Sequence, residues 1–225
     1  MLLRFFQALF SGSLKGHFGQ WAEDVLVRKQ FHPLKKTGTY LDLGAYHPFS
    51  SSNTAFFWLK GWNGFNIDAN EKSIAVFNKI RKKDNNICCA LIPQTEWDKG
   101  IRFVSLNFVE GIDSKEGISA SAKVIDVSDD STIKVHAKTI NQLLDEFHIC
   151  HIDYMNIDIE GIDEHILAEF PFKKILPAVI SVEDYSDEIS TLISSKITLL
   201  LNSQGYKLIG RVGLTSIFRH KEYIG

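Results

Sequence analysis

Short apolar runs recur along this chain, separated by stretches with helical spacing of apolar residues. The runs lie at residues 39–43, 64–67, 152–157 and 177–182. A short apolar run bounded by turn residues is typical of a buried strand, and strands that alternate with helices favour parallel pairing. The pattern therefore predicts a mostly parallel sheet with helices on both faces.

The helical stretches between the strands are amphipathic. Residues 71–83 carry apolar side chains at helical spacing and end in a basic turn, which suits the helix dipole. Helices are also predicted at residues 18–31, 52–60, 140–147, 163–170 and 189–204. Residues 206–219 predict a closing antiparallel hairpin around Gly213, whereas residues 93–132 are less regular.

Composition indicates one globular domain. The chain has 225 residues, 44% of them hydrophobic and 23% charged, which is ordinary for a soluble protein. A net charge of −2 gives no reason to expect nucleic acid as a partner. Three cysteines do not make a disulfide framework, and we expect Cys88 and Cys89 to be buried in an apolar strand at 87–92. A reducing cytoplasm fits this usage.

The first ten residues, MLLRFFQALF, are apolar but too few to span a bilayer. We expect residues 1–35 to form a helical segment that packs on a core of residues 36–225 within a single domain. The apolar N-terminus predicts a docking helix, a homodimer contact or a peripheral membrane contact, and the sequence leaves these three open.

The most informative stretch is residues 39–70, where a strand, a turn at Gly44, a helix, a second strand and Asp68 follow one another. This is the layout of a mononucleotide-binding unit, in which the acid accepts hydrogen bonds from ribose hydroxyls. The three glycines that clamp a pyrophosphate are absent, since Gly44 is followed by Ala45. The turn thus favours a nucleoside ligand without a diphosphate, of which S-adenosylmethionine is the common one. An ordinary structural unit with a solvated acid is the alternative.

Acids also follow the later strands, and ligands of open α/β sheets sit beyond the carboxyl ends of the strands. The acids near strand ends are Asp42, Asp68, Asp158, Glu160, Glu183 and Asp184. Such a ring suits a ligand with a sulfonium, an ammonium and ribose hydroxyls, and it also suits a divalent cation.

These residues resemble a known family. The matching blocks are Leu41-Asp42-Leu43-Gly44-Ala45, Ser52-Asn53-Thr54, Gly61-Trp62-Asn63-Gly64, Asn66-Ile67-Asp68-Ala69-Asn70, Ile157-Asp158-Ile159-Glu160-Gly161 and Ile180-Ser181-Val182-Glu183-Asp184. Together they resemble the FkbM family of S-adenosylmethionine-dependent methyltransferases, most of all its bacterial branch among surface-polysaccharide genes. One departure is Tyr46-His47-Pro48, where many relatives carry an Asn and another Gly.

The resemblance implies a Rossmann-like class I methyltransferase fold with a seven-stranded sheet. It also implies an O-methyltransferase that acts on a carbohydrate hydroxyl or another small-molecule hydroxyl. We assign cofactor binding to residues around the turn and the second strand end: Asp42, Gly44, Ala45, Ser52, Asn53, Thr54, Asp68 and Ala69.

Methyl transfer to a hydroxyl needs a base or a metal that lowers the hydroxyl pKa. The candidate bases are Asp158, Glu160 and His47, the last because a histidine pKa lies near neutrality. Asp158 and Glu160 could instead hold Mg²⁺ together with Glu183.

Two other functions fit the same fold. One is a nucleotide- or NAD-binding oxidoreductase, against which the missing pyrophosphate glycines argue. The other is a non-catalytic interaction module, against which the retention of so many acids argues.

Overall fold

The computed structural model describes residues 16–31, 33, 35–110, 119–124 and 133–223, and the side chains at 106–110, 119–124 and 133 lie outside this description. The helices are α1 Glu23–Lys29, α2 Ala55–Leu59, α3 Glu71–Ile80, α4 Gln94–Asp98, α5 Ile140–Glu146, α6 Asp163–Glu169, α7 Ile189–Ile193 and α8 Lys196–Ser203. The strands are β1 Thr39–Leu43, β2 Asn63–Asp68, β3 Asn85–Cys88, β4 Ala90–Leu91, β5 Phe103–Glu110, β6 Ser119–Val124, β7 Ile133–Lys138, β8 Tyr154–Ile157, β9 Val179–Glu183, β10 Tyr206–Val212 and β11 Thr215–His220. The contact predicted for the first ten residues lies outside the described residues.

Seven strands form the main sheet in the order β3-β2-β1-β8-β9-β11-β10. The first five are parallel, whereas β11 runs antiparallel to both β9 and β10. This confirms the predicted Rossmann-like seven-stranded sheet with a C-terminal antiparallel hairpin. The chain runs outward from β1 towards β2 and from β8 towards β9, so the crevice where such folds bind ligands lies between β1 and β8.

Alternate side chains of the strands face two different cores. Leu41 and Leu43 of β1 belong to a core that α5, α6 and α8 cover, whereas Tyr40 belongs to an aromatic core on the other face, with Phe57 of α2 and Trp62. Both faces are thus buried, as parallel strands require. Within the described residues, no helix is long and apolar enough to cross a membrane.

The apolar run at residues 87–92 does not form one strand as predicted. Residues up to Cys88 lie in β3 of the main sheet, whereas β4 joins a second sheet in the order β4-β7-β5-β6. Because the chain switches sheets between them, Cys89 is buried and Cys88 is exposed, which corrects the expectation that both are buried.

Two helix predictions also need correction. Residues 189–204 form α7 and α8 instead of one helix, since the Ser195 side chain accepts a hydrogen bond from the Thr198 amide and starts a new helix there. The helix predicted at residues 18–31 begins only at Glu23, because Ala22 has a φ of 67° and the Glu23 carboxylate accepts from the Trp21 amide at 2.7 Å.

Candidate functional site

The carboxyl ends of the parallel strands form one edge in register. Leu43 pairs with Ile67 on one side and with Ile157 on the other, and Ile157 pairs with Val182. The next position on each strand gives a row across the edge: Asp68, Gly44, Asp158 and Glu183. At about 4.8 Å between neighbouring strands, the row is roughly 14 Å long. The tertiary structure therefore brings the predicted acids together around the turn.

Gly44 is required at its position in the row. It has a φ of 80°, and a Cβ built on it would lie 1.7 Å from the Asp158 carbonyl oxygen. The amides of Gly44 and Ala45 both donate to the Ile67 carbonyl, at 2.9 and 3.0 Å. Only a residue without a side chain allows the end of β1 to lie this close to the end of β8. The turn is therefore fixed on both sides by neighbouring strands.

Asp68 holds the loop that follows the turn. Its Oδ2 accepts from the Tyr46 amide at 2.8 Å, and its Oδ1 accepts from the Asn70 amide at 2.7 Å. Burial raises the pKa of Asp68 to about 6, so most of the carboxyl is ionised at neutral pH. Each carboxylate oxygen has a second lone pair, so both can also accept from hydroxyls of a bound ligand. Ala69, beside it, is half-buried.

Four of the residues assigned to the cofactor are buried beneath the turn. These are Asp42, Ser52, Asn53 and Thr54, none more than 5% exposed. Asp42 accepts from the Thr54 hydroxyl at 2.6 Å through Oδ2 and from the Asn156 amide at 2.9 Å through Oδ1. Asn53 donates to the Asn156 oxygen at 3.2 Å. Apart from the Asn53 Oδ1, which has no hydrogen-bond partner among the described residues, their polar groups bind one another or neighbouring side chains, so this geometry gives them a role in shaping the turn.

A second row of polar side chains crosses five strands below the site, and all of them except the half-buried Asn86 are buried. It consists of Asn86, Asn66, Asp42, Asn156 and Ser181, paired in register from β3 to β9. The sequence interpretation missed the four besides Asp42. A signal was present in the sequence. In each of β1, β2, β8 and β9, a polar residue lies between two apolar residues, and two positions later comes the residue of that strand at the sheet edge: Gly44, Asp68, Asp158 and Glu183. Arg81 was not assigned to the site either, because it was interpreted as part of the basic last turn of a helix, although it is also among the residues that resemble the family.

His47 has a structural contact through its ring. Its Nδ1 accepts from the amides of Phe49 at 3.1 Å and Ser50 at 2.9 Å. A neutral imidazole that accepts through Nδ1 carries its proton on Nε2. A base needs a lone pair that is not already engaged, so this geometry favours a role in holding the loop over the predicted role as a base.

Carboxyl groups cluster on the other side of the turn, around Asp158. Burial, followed by the charges of Glu183, Asp163 and Glu160, raises the pKa of Asp158 well above its usual value and favours its protonated form. Burial and the charges of Glu183 and Asp163 also raise the pKa of Glu160, which has a φ of 55°. Asp163 holds this turn, because its carboxylate accepts from the amides of Ile159 at 3.1 Å and Gly161 at 3.0 Å. The cluster is thus fixed by backbone contacts.

Glu183 ends the row with a fixed side chain. The Tyr185 hydroxyl donates to its Oε2 at 2.7 Å, while the Tyr185 side chain is exposed. Arg211 of the hairpin donates to the carbonyls of Ser186 at 2.6 Å and Asp184 at 2.7 Å, which ties the loop after β9 to the hairpin. This loop therefore has a defined conformation beside the carboxyl cluster.

The metal assignment gains no support from the geometry. Among the side chains that the structure describes, no group of three or more His, Cys, Asp and Glu is arranged to hold a metal ion. The assignment of Mg²⁺ to Asp158, Glu160 and Glu183 stays a prediction.

One family model classifies the chain. The model of a family described as "Methyltransferase FkbM domain" matches residues 42–208. No curated protein matches the chain. A solved structure of a candidate rRNA methylase from Clostridium thermocellum is 12% identical with a TM-score of 0.39, over 92% of this chain and 97% of that one.

Proposed function

The chain belongs to the FkbM methyltransferase family, and from this we propose that it is an S-adenosylmethionine-dependent O-methyltransferase that methylates a sugar hydroxyl of a surface polysaccharide or its precursor. The observation that carries the proposal is the row at the sheet edge. There the turn at Gly44 lies between Asp68 on one side and the carboxyl cluster of Asp158 on the other. A donor and an acceptor of the methyl group need two adjacent subsites of this kind.

The groups around the turn fit a nucleoside ligand. Asp68 has the lone pairs to accept from both ribose hydroxyls, and Gly44 lets the turn lie directly between Asp68 and the end of β8. Asp42, Ser52, Asn53 and Thr54 support this turn from below, and Ala45 and Ala69 flank it. S-adenosylmethionine supplies an electrophilic methyl group on a sulfonium when it is bound.

The carboxyl cluster fits a neutral hydroxyl acceptor. Carboxylates accept hydrogen bonds from hydroxyls and repel anionic groups, and the exposed ring of Tyr185 offers an apolar surface for a sugar face. Glu160 is the base in this proposal, since it lies in an exposed turn that Asp163 holds in place. Asp158, with its protonated form favoured, donates a hydrogen bond instead.

We also place the protein in the cytoplasm. The cysteines Cys88, Cys89 and Cys150 are all free, which fits a reducing compartment.

Titration calorimetry with S-adenosylhomocysteine and with NAD tests the cofactor. We expect binding of the homocysteine compound and none of NAD. Asp68→Ala should weaken binding about tenfold or more, because it removes a charged hydrogen-bond acceptor. Asp98→Ala is the matched control, since Asp98 is exposed on α4 and accepts only from Gln94 of its own helix among the described contacts.

Binding of NAD alone would favour the oxidoreductase, and binding of neither compound would favour the non-catalytic module. Transfer of a labelled methyl group to a panel of neutral methyl glycosides tests the acceptor. Glu160→Gln should abolish this transfer with the affinity for S-adenosylhomocysteine unchanged. Transfer at the wild-type rate in that variant would remove Glu160 as the base.

A further inference from the structure

Arg81 is a buried cation next to the proposed cofactor turn. It follows α3 directly and has no exposed surface. Within the described parts of the chain, no carboxylate forms a direct ion pair with it. A buried charge is costly unless every contact around it is favourable, so its surroundings indicate what keeps it there.

The Arg81 guanidinium donates hydrogen bonds to the segment that connects the turn to α2. Nη2 donates to the Ser52 hydroxyl at 3.0 Å and to the Pro48 carbonyl, and Nη1 donates to the Thr54 hydroxyl at 2.8 Å. Thr54 thus links Arg81 to Asp42, since its hydroxyl also donates a hydrogen bond to the Asp42 carboxylate. Three points of one loop are thus held by one side chain.

The other contacts are made with the strands. Nη1 donates to the Asn66 oxygen at 3.1 Å and to the Tyr40 hydroxyl at 3.3 Å, and that hydroxyl donates to Asp84. Thr54 and Tyr40 therefore make the same pair of hydrogen bonds: each hydroxyl accepts from Arg81 and donates to a carboxylate. They differ in position, because Thr54 lies on the loop side and Tyr40 on the strand side.

Aromatic rings enclose the guanidinium. The carbon Cζ lies 5.0 Å from the ring centre of Phe77 and 5.6 Å from that of Trp58. These rings favour a cation at this position. The planar fork of arginine makes all these contacts at once, which the single ammonium of lysine cannot do.

We propose that Arg81 is a positioning residue that holds residues 46–54 in the conformation that binds the methyl donor. This rests on the proposed function, because the turn at Gly44 continues directly into this segment. Arg81 does not touch the ligand in this proposal. It acts through Thr54, Ser52 and the Pro48 carbonyl, which fix the path of the chain from the turn to α2.

Thr54→Val and Tyr40→Phe form a matched pair of variants. Each removes one buried hydroxyl between Arg81 and a carboxylate, and each is expected to lower the melting temperature. Only Thr54→Val and Arg81→Lys should weaken S-adenosylhomocysteine binding, by about tenfold or more in calorimetry. Tyr40→Phe should stay within about twofold of wild type, and Thr54→Ser should restore the affinity because it keeps the hydroxyl.

Hydrogen exchange of the backbone amides in residues 46–54 measures how firmly the loop is held in the absence of a ligand. We expect faster exchange in Thr54→Val and Arg81→Lys and wild-type exchange in Tyr40→Phe. Equal effects of Thr54→Val and Tyr40→Phe on both affinity and exchange would overturn the proposal and leave Arg81 with a general structural role. If the wild type binds no S-adenosylhomocysteine, the proposed function fails, and the exchange data still decide whether Arg81 holds the loop. If Arg81→Lys does not fold, the Thr54 and Tyr40 variants carry the test.

Discussion

Replacing Gly44 by alanine tests whether the turn depends on the close approach of β1 and β8. Gly44 and Gly61 both have positive φ values, 80° and 91°. Alanine in this backbone conformation costs about 1–2 kcal/mol at either position. Around Gly61 nothing lies within 4 Å of an added Cβ, whereas at Gly44 the Asp158 carbonyl oxygen would lie 1.7 Å away. Gly61→Ala is therefore a control that has the strain without the clash.

The extra cost at Gly44 follows from the hydrogen bonds that the clash breaks. The Asp158 amide donates to the Leu43 carbonyl and the Gly44 amide donates to the Ile67 carbonyl, both at 2.9 Å. Moving β1 away from β8 far enough for a Cβ breaks the first bond and distorts the second, at about 1–2 kcal/mol each. With the backbone strain the total is about 3–6 kcal/mol. At about 2–4 °C per kcal/mol for a chain of this size, Gly44→Ala should melt about 6–24 °C below wild type.

Thermal unfolding followed by circular dichroism measures the loss of stability, and calorimetry with S-adenosylhomocysteine measures the loss of cofactor binding. We expect Gly61→Ala to melt about 2–8 °C below wild type and to bind normally. Gly44→Ala should lose binding even at temperatures where it is folded. If Gly44→Ala melts no lower than Gly61→Ala and keeps its affinity, the turn does not depend on that contact and our reasoning about the site is refuted.

Three further predictions concern the site and the core. Burial raises the pKa of Asp68 to about 6. The affinity for S-adenosylhomocysteine, measured by calorimetry, should therefore be constant above about pH 7 and fall as the pH drops through 6. In Asp68→Asn the affinity should not change with pH over this range. Cys88 pairs with Asp68 at the carboxyl ends of the strands, whereas Cys150 comes just before the amino end of β8, and both thiols are exposed. Bound S-adenosylhomocysteine should therefore slow the labelling of Cys88 by iodoacetamide, measured by mass spectrometry, and leave that of Cys150 unchanged. Equal protection of both cysteines would contradict the site. Trp62 is 1% exposed within the aromatic core, so Trp62→Ala should lower the free energy of unfolding by about 3–5 kcal/mol in urea, and a loss below about 1 kcal/mol would show that the core does not depend on it.

Local sequence patterns were sufficient for the alternation of strands and helices and for the gathering of acids at one edge of the sheet. Apolar periodicity within a few residues reports burial directly, which is why β1, β2, β8 and β9 and the closing hairpin were predicted. In a parallel sheet the carboxyl ends meet at one edge whatever the loops do, so the acids after these strands were expected to gather there. Gly44 was recognised because a turn of this kind needs a residue without a side chain.

Only the tertiary structure decided which polar residues lie at the carboxyl ends of the strands in the open and which are buried. Asp42 and Asn156 are 114 positions apart in the chain, and no local pattern pairs them. Arg81 has the residue type of a solvated helix end, yet the loop and strands around it bury it completely. The role of His47 likewise depends on which amides its ring meets. Burial and hydrogen-bond partners are properties of distant segments packed together, so they are absent from any single stretch of sequence.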